Sequence, residues 1–552
     1  MKRSIFFAAA LLLLNICIFG QRELGVRPTN TGGPLMFEQA VYDVQAYDVS
    51  LYVMPTSKSI SGVTGMKAKI VIPTNVIVLD LDTPYTVQSV TESEHAVEFE
   101  QKDGKLWIWF PQTKQAGDEI RTSIIYAGTP RIAPRAPWIG GFMWEKTPSG
   151  ADWISVALQN DGADLLFPCK DHPSDKPADV TMRISVPDPL VATGPGKLES
   201  VKKIENGYST YTWRMTNPIS NYSIVFNAAP YKIVRDKIKS IDGSEFDVAF
   251  YVLPEDEPKA ASLIAETKKY NAFLEKFLGP YPFRSQGLKI SETPHLGMEH
   301  STNIAYGNKF KYSPEGTDWL MLHEYGHEWW ANLVTASDWR DFWIHEGFQS
   351  FMDTLYTEEV KGKQAYFDAM KARAKATRNM QPVAPRDPKI AYQVYMAEPD
   401  YLRSDGDIYG KGAVVLHTLR YLIGDDAFFR SLRRMAYPDK AMESITDGRQ
   451  TRLVNTDDFL TIAEQESKMK LGWFFEMYLR QPKLPVLKAE KESGSLLLTW
   501  ETPSDMPFPM PIDVVVDGKT KRIEMPQGKA RVPFEGATPP TIDPNGWVLR
   551  AQ

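Results

Sequence analysis

The feature that most limits how this chain can fold is the run Leu322-His323-Glu324-Tyr325-Gly326-His327-Glu328-Trp329-Trp330. Two histidines four residues apart on a helix project from one face, one turn separated, and can share one zinc ion. Glu324 follows the first histidine and can reach a metal-bound water on the substrate side. The competing reading is an amphipathic core helix that happens to carry two histidines, because Leu322, Trp329, Trp330 and Leu333 give it an apolar side. Gly326 costs such a helix roughly 0.5–1 kcal/mol, or else permits close approach of a neighbouring backbone. A catalytic zinc site typically takes three protein ligands, so a third should stand on another element. Trp343-Ile344-His345-Glu346-Gly347-Phe348 opens the next helical stretch, with Glu346 after a gap of eighteen residues from His327. That gap lets one helix finish, turn and present a carboxylate. His345 is the alternative ligand, ranked lower because neighbouring residues on a helix point about a quarter-turn apart.

The elements around this run divide the chain of 552 residues into several domains. From about residue 40 to 240, short alternating runs such as Lys67 to Ile72 and Val76 to Leu81 are broken by Pro and Gly, a pattern of antiparallel strands. Near residue 256 the period changes. Pro258 to Leu278 reads as a helix ended by Gly279-Pro280. A strand-like piece spans Gly287 to Ile290, and helical stretches dominate from Thr317 to about Leu479. After Pro482 the alternation returns in Leu496–Trp500 and Ile512–Val516, marking a small β module over the last 70 or so residues.

The first twenty residues differ from the rest. Lys2 and Arg3 precede an apolar run from Ile5 to Leu14, and Gly20 stands before Gln21. A charged start, a short apolar core and a small-residue exit describe a cleavable export signal over residues 1–20, and the expected destination is a periplasm or the extracellular space. A membrane anchor needs roughly 18 or more unbroken apolar residues, which this run lacks, so no stable span is expected after signal removal. Signal removal takes Cys17 and leaves Cys169 alone, so no disulfide within the mature chain is expected; a lone cysteine of this kind is expected to pack in the core. A hydrophobic content of 43% and a net charge of -6 fit a globular protein and give no reason to expect a nucleic-acid partner.

The two-part pattern, His-Glu-x-x-His followed eighteen residues on by Glu within Trp-x-x-Glu-Gly-Phe, resembles the gluzincin aminopeptidase family, which includes aminopeptidase N and leukotriene hydrolase. The resemblance implies one zinc per chain, held by His323, His327 and Glu346, with Glu324 as general base. Upstream, His295-Leu296-Gly297-Met298-Glu299-His300 resembles the family's Gly-x-Met-Glu-Asn strand, with Leu296 in place of the Gly and His300 in place of the Asn. By that match Glu299 anchors the substrate's free amine, while Gly297 and Met298 lie along the peptide and Met298 contributes to a pocket wall. Leu158 to Asp161 and Phe167 to Pro173 resemble the Gln-x-Glu … Phe-Pro-Cys-x-Asp-Glu-Pro segment of the family's N-terminal domain. Gln159 falls where many members carry Glu, and its side-chain carbonyl can accept a hydrogen bond from an ammonium. Ile408 to Ala413 resembles the Tyr-x-Lys-Gly-Ala segment, which makes Tyr409 the donor to the transition-state oxyanion; His417 reads as structural.

The resemblance covers roughly residues 40 to 480 and implies a multidomain α+β protein. The expected parts are an antiparallel saddle-like β domain over 21–240, a thermolysin-like, mainly helical zinc peptidase domain over 241–482, and a small β-sandwich-like domain over 483–552. The last is too short to be the long helical domain that encloses the site in larger members, so a more open cleft is expected. The implied activity is removal of the first residue from peptides with a free N-terminus. A zinc endopeptidase and a non-catalytic peptide-binding protein on the same fold are the alternatives, and an epoxide hydrolase of the leukotriene type would use much the same constellation.

Overall fold

The computed structural model describes residues 31–401, 403–534 and 539–551; the export signal expected at residues 1–20 lies outside them. Strong alternation builds the first part. In Tyr42–Met54 the side chains of Tyr47, Val49, Leu51 and Val53 are buried, while Asp48 points to solvent. Period-two burial of this kind commits one face of a strand to a core. Eight strands form the main N-terminal sheet, in the spatial order Lys197–Ile204, Tyr208–Met215, Asp179–Pro187, Tyr42–Met54, Ser59–Ile70, Glu119–Gly128, Tyr85–Glu92 and His95–Ala96. One pair departs from the antiparallel expectation: Tyr42–Met54 runs parallel to Asp179–Pro187, with Val49 opposite Met182. Alternation specifies which face is buried but not strand direction, and the long stretch between these two strands permits a crossover. A four-stranded and a three-stranded sheet complete this region.

A second, five-stranded sheet carries the site. Its order is Lys232–Lys239, Glu245–Val252, Leu288–Glu292, Asn303–Tyr306 and Gly297–Met298. The two central pairings are parallel, and the edge piece Gly297–Met298 runs antiparallel to Asn303–Tyr306. Helix α1 (Glu257–Leu278) crosses between the second and third of these strands, one residue longer at its start than expected. Its apolar stripe of Leu263, Ile264, Tyr270, Leu274 and Leu278 is buried, and Gly279 ends it at φ 97°, a conformation that favours glycine. Four further helices matter here: α2 (Trp319–Gly326), α3 (Trp343–Lys361), α4 (Lys363–Ala376) and α5 (Gly410–Ile423).

Helices α3 and α5 meet backbone to backbone. A Cβ on Gly412 would lie 2.9 Å from the Gly347 Cα, and one on Gly347 would lie 2.9 Å from the Ile408 carbonyl. No larger residue fits at either position without moving a helix, so these glycines bring the start of α5 beside the start of α3. The C-terminal strands form two three-stranded sheets fastened to α5: Tyr421 donates to Asp513 at 2.7 Å, and Thr418 donates to the Trp547 carbonyl at 3.0 Å. His417 joins the same seam, with Nδ1 2.7 Å from the Tyr366 hydroxyl and Nε2 3.1 Å from the Gly546 carbonyl. Its place is in the packing, as its sequence context indicates. Cys169 is likewise fully buried in the core, where burial pushes its thiol well up.

Candidate active site

Helix α2 begins at Asp318, whose side chain accepts from the Met321 amide at 3.0 Å. This cap satisfies one of the free amides at a helix start. The helix ends at Gly326, so His327 sits at its C-terminal cap rather than inside it, yet its backbone keeps helical angles and its amide bonds to the His323 carbonyl at 3.3 Å. The one-turn relation of the two rings therefore survives. Gly326 makes room for a side chain rather than a backbone: a Cβ there would lie 1.8 Å from Gln349 Oε1 of α3. Gln349 in turn donates to the Leu322 carbonyl at 3.3 Å and to Asp353 at 2.9 Å, tying α2 to α3.

The tie delivers Glu346. Its Oε2 lies 3.4 Å from both His323 Nε2 and His327 Nε2, and the two ring nitrogens are 3.2 Å apart. The opposite nitrogen of each ring is spoken for: His323 Nδ1 is 2.7 Å from Asp353, and His327 Nδ1 is 2.8 Å from the Trp330 carbonyl. With Nδ1 as the donor in each ring, both Nε2 lone pairs face the carboxylate. Two lone pairs and a buried anion oxygen converge here, and Glu346 Oε2 receives no hydrogen bond. Such a cluster of acceptors is costly unless a cation sits among them, and a His, His, Glu set within 4.8 Å fits zinc. His345 is not part of it. Its Nε2 accepts from the Ala336 amide at 2.9 Å, because the quarter-turn between adjacent helical residues aims it away from Glu346.

A cavity of about 140 Å³ opens over this set. Gln159 and Asn160 come to it from the N-terminal region, Met298 and Glu299 from the sheet edge, His323 and Glu324 from α2, and Tyr395 and Tyr409 from the far side. All nine residues named from the motifs are brought together here: Gln159, Gly297, Met298, Glu299, His323, Glu324, His327, Glu346 and Tyr409 all line the cavity. Gly297 has a steric reason. A Cβ on it would stand 2.7 Å from Glu324 Oε1 and 2.8 Å from a Leu320 methyl, so only glycine lets the edge strand lie on α2. Burial pushes the Glu324 carboxyl up, against the pull of His323 and with the repulsion of Glu299. A carboxylate displaced in that direction is suited to taking a proton.

Glu299 follows the edge strand and is 1% exposed. Burial pushes its carboxyl up too, and one of its oxygens lies within 4.8 Å of Glu324 and His327 donor atoms. Its Oε1 accepts from the Tyr222 hydroxyl at 2.9 Å and from the Gln159 amide nitrogen. The Gln159 carbonyl oxygen instead accepts from the Tyr395 hydroxyl at 3.4 Å. Tyr409, immediately before α5, stacks 6.4 Å from the His323 ring, and burial, then the Glu346 charge, keep its hydroxyl protonated. The sequence motifs omit five contributors: Asp353 against the His323 ring, Tyr222 on the Glu299 carboxylate, and Tyr395 and the half-exposed Trp138 and Trp319 in the cavity wall. Asp353 had a signal, since it stands seven residues, or two turns, beyond Glu346 on the same face. The tyrosines had none, as no local spacing links residues 222 and 395 to 299.

Comparison with known proteins places the chain in a family. Residues 44–223 match the peptidase M1 N-terminal domain and residues 265–478 match the peptidase family M1 domain, together more than half of the chain. Glutamyl aminopeptidase of Homo sapiens is 24% identical over 367 residues, which is 63% of this chain and 36% of the relative. Aminopeptidase N of Lactococcus lactis is 24% identical over 348 residues, 60% of this chain and 39% of the relative. The chain thus spans less than half the length of these curated relatives. Among solved structures, an M1 zinc metallopeptidase from Deinococcus radiodurans shares the fold with a TM-score of 0.65 at 22% identity, covering 84% of this chain and 99% of that one. With both M1 domains matched in order along one polypeptide, the chain belongs to peptidase family M1.

Proposed function

We propose that this protein is a zinc-dependent aminopeptidase that hydrolyses the first peptide bond of substrates with a free N-terminal amine. The observation that carries the reading is a buried carboxylate, Glu299, standing in the same cavity as the His323, His327 and Glu346 donor set. A substrate ammonium is the natural partner of such a carboxylate, and its capture fixes the first carbonyl at the donor set. His323, His327 and Glu346 would hold the zinc, whose contribution is Lewis acidity toward that carbonyl. Glu324 takes the proton of the attacking water and later delivers it to the leaving amine. The Tyr409 hydroxyl donates to the oxygen on which negative charge develops. Gln159 and Tyr395 line the amine side, and Met298 supplies apolar wall.

The test is mass spectrometry of a peptide panel incubated with the metal-loaded protein. The reading requires sequential loss of N-terminal residues, stopped by a zinc chelator. Internal cleavage of N-acetylated peptides would make the protein an endopeptidase, and no cleavage with zinc bound would make it a binding protein.

We also propose export, on the basis of the charged, then apolar, then small-residue order of the first twenty residues. Among the described residues no helix is long and apolar enough to cross a membrane. N-terminal sequencing of the protein recovered from its native compartment tests this; a retained Met1 contradicts it.

A further inference from the structure

The amine end holds a residue that the catalytic scheme leaves unused. Tyr222 lies in the short turn Asn221–Ser223, is 5% exposed, and has its ring 6.2 Å from that of Trp339. Trp339 belongs to the turn that leads into α3. The ring is thus wedged where the N-terminal region meets the catalytic helices, and its hydroxyl reaches across to Glu299 Oε1 at 2.9 Å. The Gln159 amide nitrogen donates to that same oxygen. From the other side, Asn332 donates to the Glu299 backbone carbonyl at 3.0 Å.

We propose that Tyr222 is a positioning residue for the amine anchor: together with Gln159 it saturates Oε1 of Glu299, so that Oε2 is the oxygen that meets the substrate's ammonium. The proposal rests on the aminopeptidase reading and adds to it a physical reason for the anchor's orientation. A carboxylate in a buried site is pushed toward its neutral form, and hydrogen bonds to its charged form counter that push. Two donors on one oxygen also fix the plane of the group, which a single bond leaves free to rotate. Both of these side-chain hydrogen bonds go to Oε1, and the carboxylate stands in the wall of the cavity. The amide of Gln159 is oriented by its own contacts, since its carbonyl accepts from Tyr395 and only its nitrogen is left for Glu299. Recognition of the amine is on this account a property of two regions of the chain, with Tyr222 and Gln159 on one and Glu299 on the other.

The matched probes are L-leucine hydroxamate and its des-amino analogue, 4-methylpentanohydroxamate, used as competitive inhibitors of the zinc-loaded protein. They differ only in the ammonium group. Tyr222→Phe keeps the ring against Trp339 and removes the hydroxyl alone. Loss of a hydrogen bond to a charged group weakens binding about ten-fold or more. The expected result is therefore an inhibition constant for L-leucine hydroxamate raised about ten-fold, with that of the des-amino analogue unchanged. In a Glu299→Gln background the same substitution should have little further effect, because both changes act through one contact. Equal weakening of both inhibitors would mean a structural defect and overturn the proposal, as would a wild-type ratio retained in Tyr222→Phe. Wild-type protein that binds both hydroxamates equally would instead overturn the aminopeptidase reading, and this proposal with it.

Discussion

The metal end and the amine end of the cleft are assembled by different routes. The metal end comes from one stretch, residues 323–346, plus Asp353 on the same helix, and its geometry follows from helical spacing and one pair of packed helices. The amine end draws Gln159 and Tyr222 from the N-terminal region, Glu299 from the edge of the catalytic sheet and Tyr395 from the segment before α5. The first can form as soon as α2 and α3 pack. The second exists only when two regions of the chain dock. Metal binding and chemistry should therefore be separable by mutation from amine recognition, and the substitutions below test that separation.

The largest effect is expected at the metal end. Glu324→Gln should lower kcat by about 10²–10⁴-fold while zinc content, measured by atomic absorption, stays at the wild-type level. A variant that loses its zinc as well would show that Glu324 supports the donor set rather than the proton transfer. Tyr409→Phe comes next. Removal of one oxyanion donor costs about 10²–10³-fold in kcat, and KM should move little because the hydroxyl acts on charge that develops later. A change confined to KM would take Tyr409 out of that role. Asp353→Ala should weaken zinc affinity about 10–100-fold, read by competition with a chromophoric chelator, because His323 Nδ1 then loses the acceptor 2.7 Å away. Unchanged affinity would show that the ring needs no such support.

The smallest effect on catalysis belongs to Asp171→Asn, since Asp171 does not line the cavity. Its signature is in stability. Burial, reinforced by the Asp80 charge, pushes the Asp171 carboxyl from 3.8 up to about 7. A carboxyl raised on folding gives stability that is full below about pH 4 and lost as pH rises through about 7. Chemical denaturation of the wild type should therefore show stability falling across that window, and the Asn variant should flatten the slope by on the order of 1–3 kcal/mol. Parallel slopes would mean that the group titrates normally in the folded protein.

This contrast also explains what was legible beforehand. His323 and His327 could be paired because a four-residue spacing translates directly into one helix face, whereas Glu346 was singled out as the third ligand by the resemblance of the two-part pattern to the gluzincin aminopeptidase family. Helix α1 was readable for the same reason, through the 3.6-residue period of Ile264, Tyr270 and Leu274 together with the Gly279-Pro280 stop. The parallel pairing of Tyr42–Met54 with Asp179–Pro187 was not, as alternation is identical in both strand directions. Gly326 showed that something approaches α2 closely, but a glycine does not say whether a backbone or, as found, the Gln349 side chain fills the space. Tyr222 and Tyr395 were invisible among 24 tyrosines, because what singles them out is docking between segments that are distant along the chain.

The most direct test of the account is the ratio of kcat/KM for a free-amine peptide to that for its N-acetylated twin, measured in the wild type and in Glu299→Ala. Truncating one partner of a buried charge pair costs about 2–5 kcal/mol. The predicted wild-type ratio is therefore large and chelator-sensitive, and it should collapse by on the order of 10²-fold or more in the variant while zinc content is unchanged. A ratio that survives in Glu299→Ala, or acetylated peptides cleaved as readily as free ones by the wild type, would contradict it.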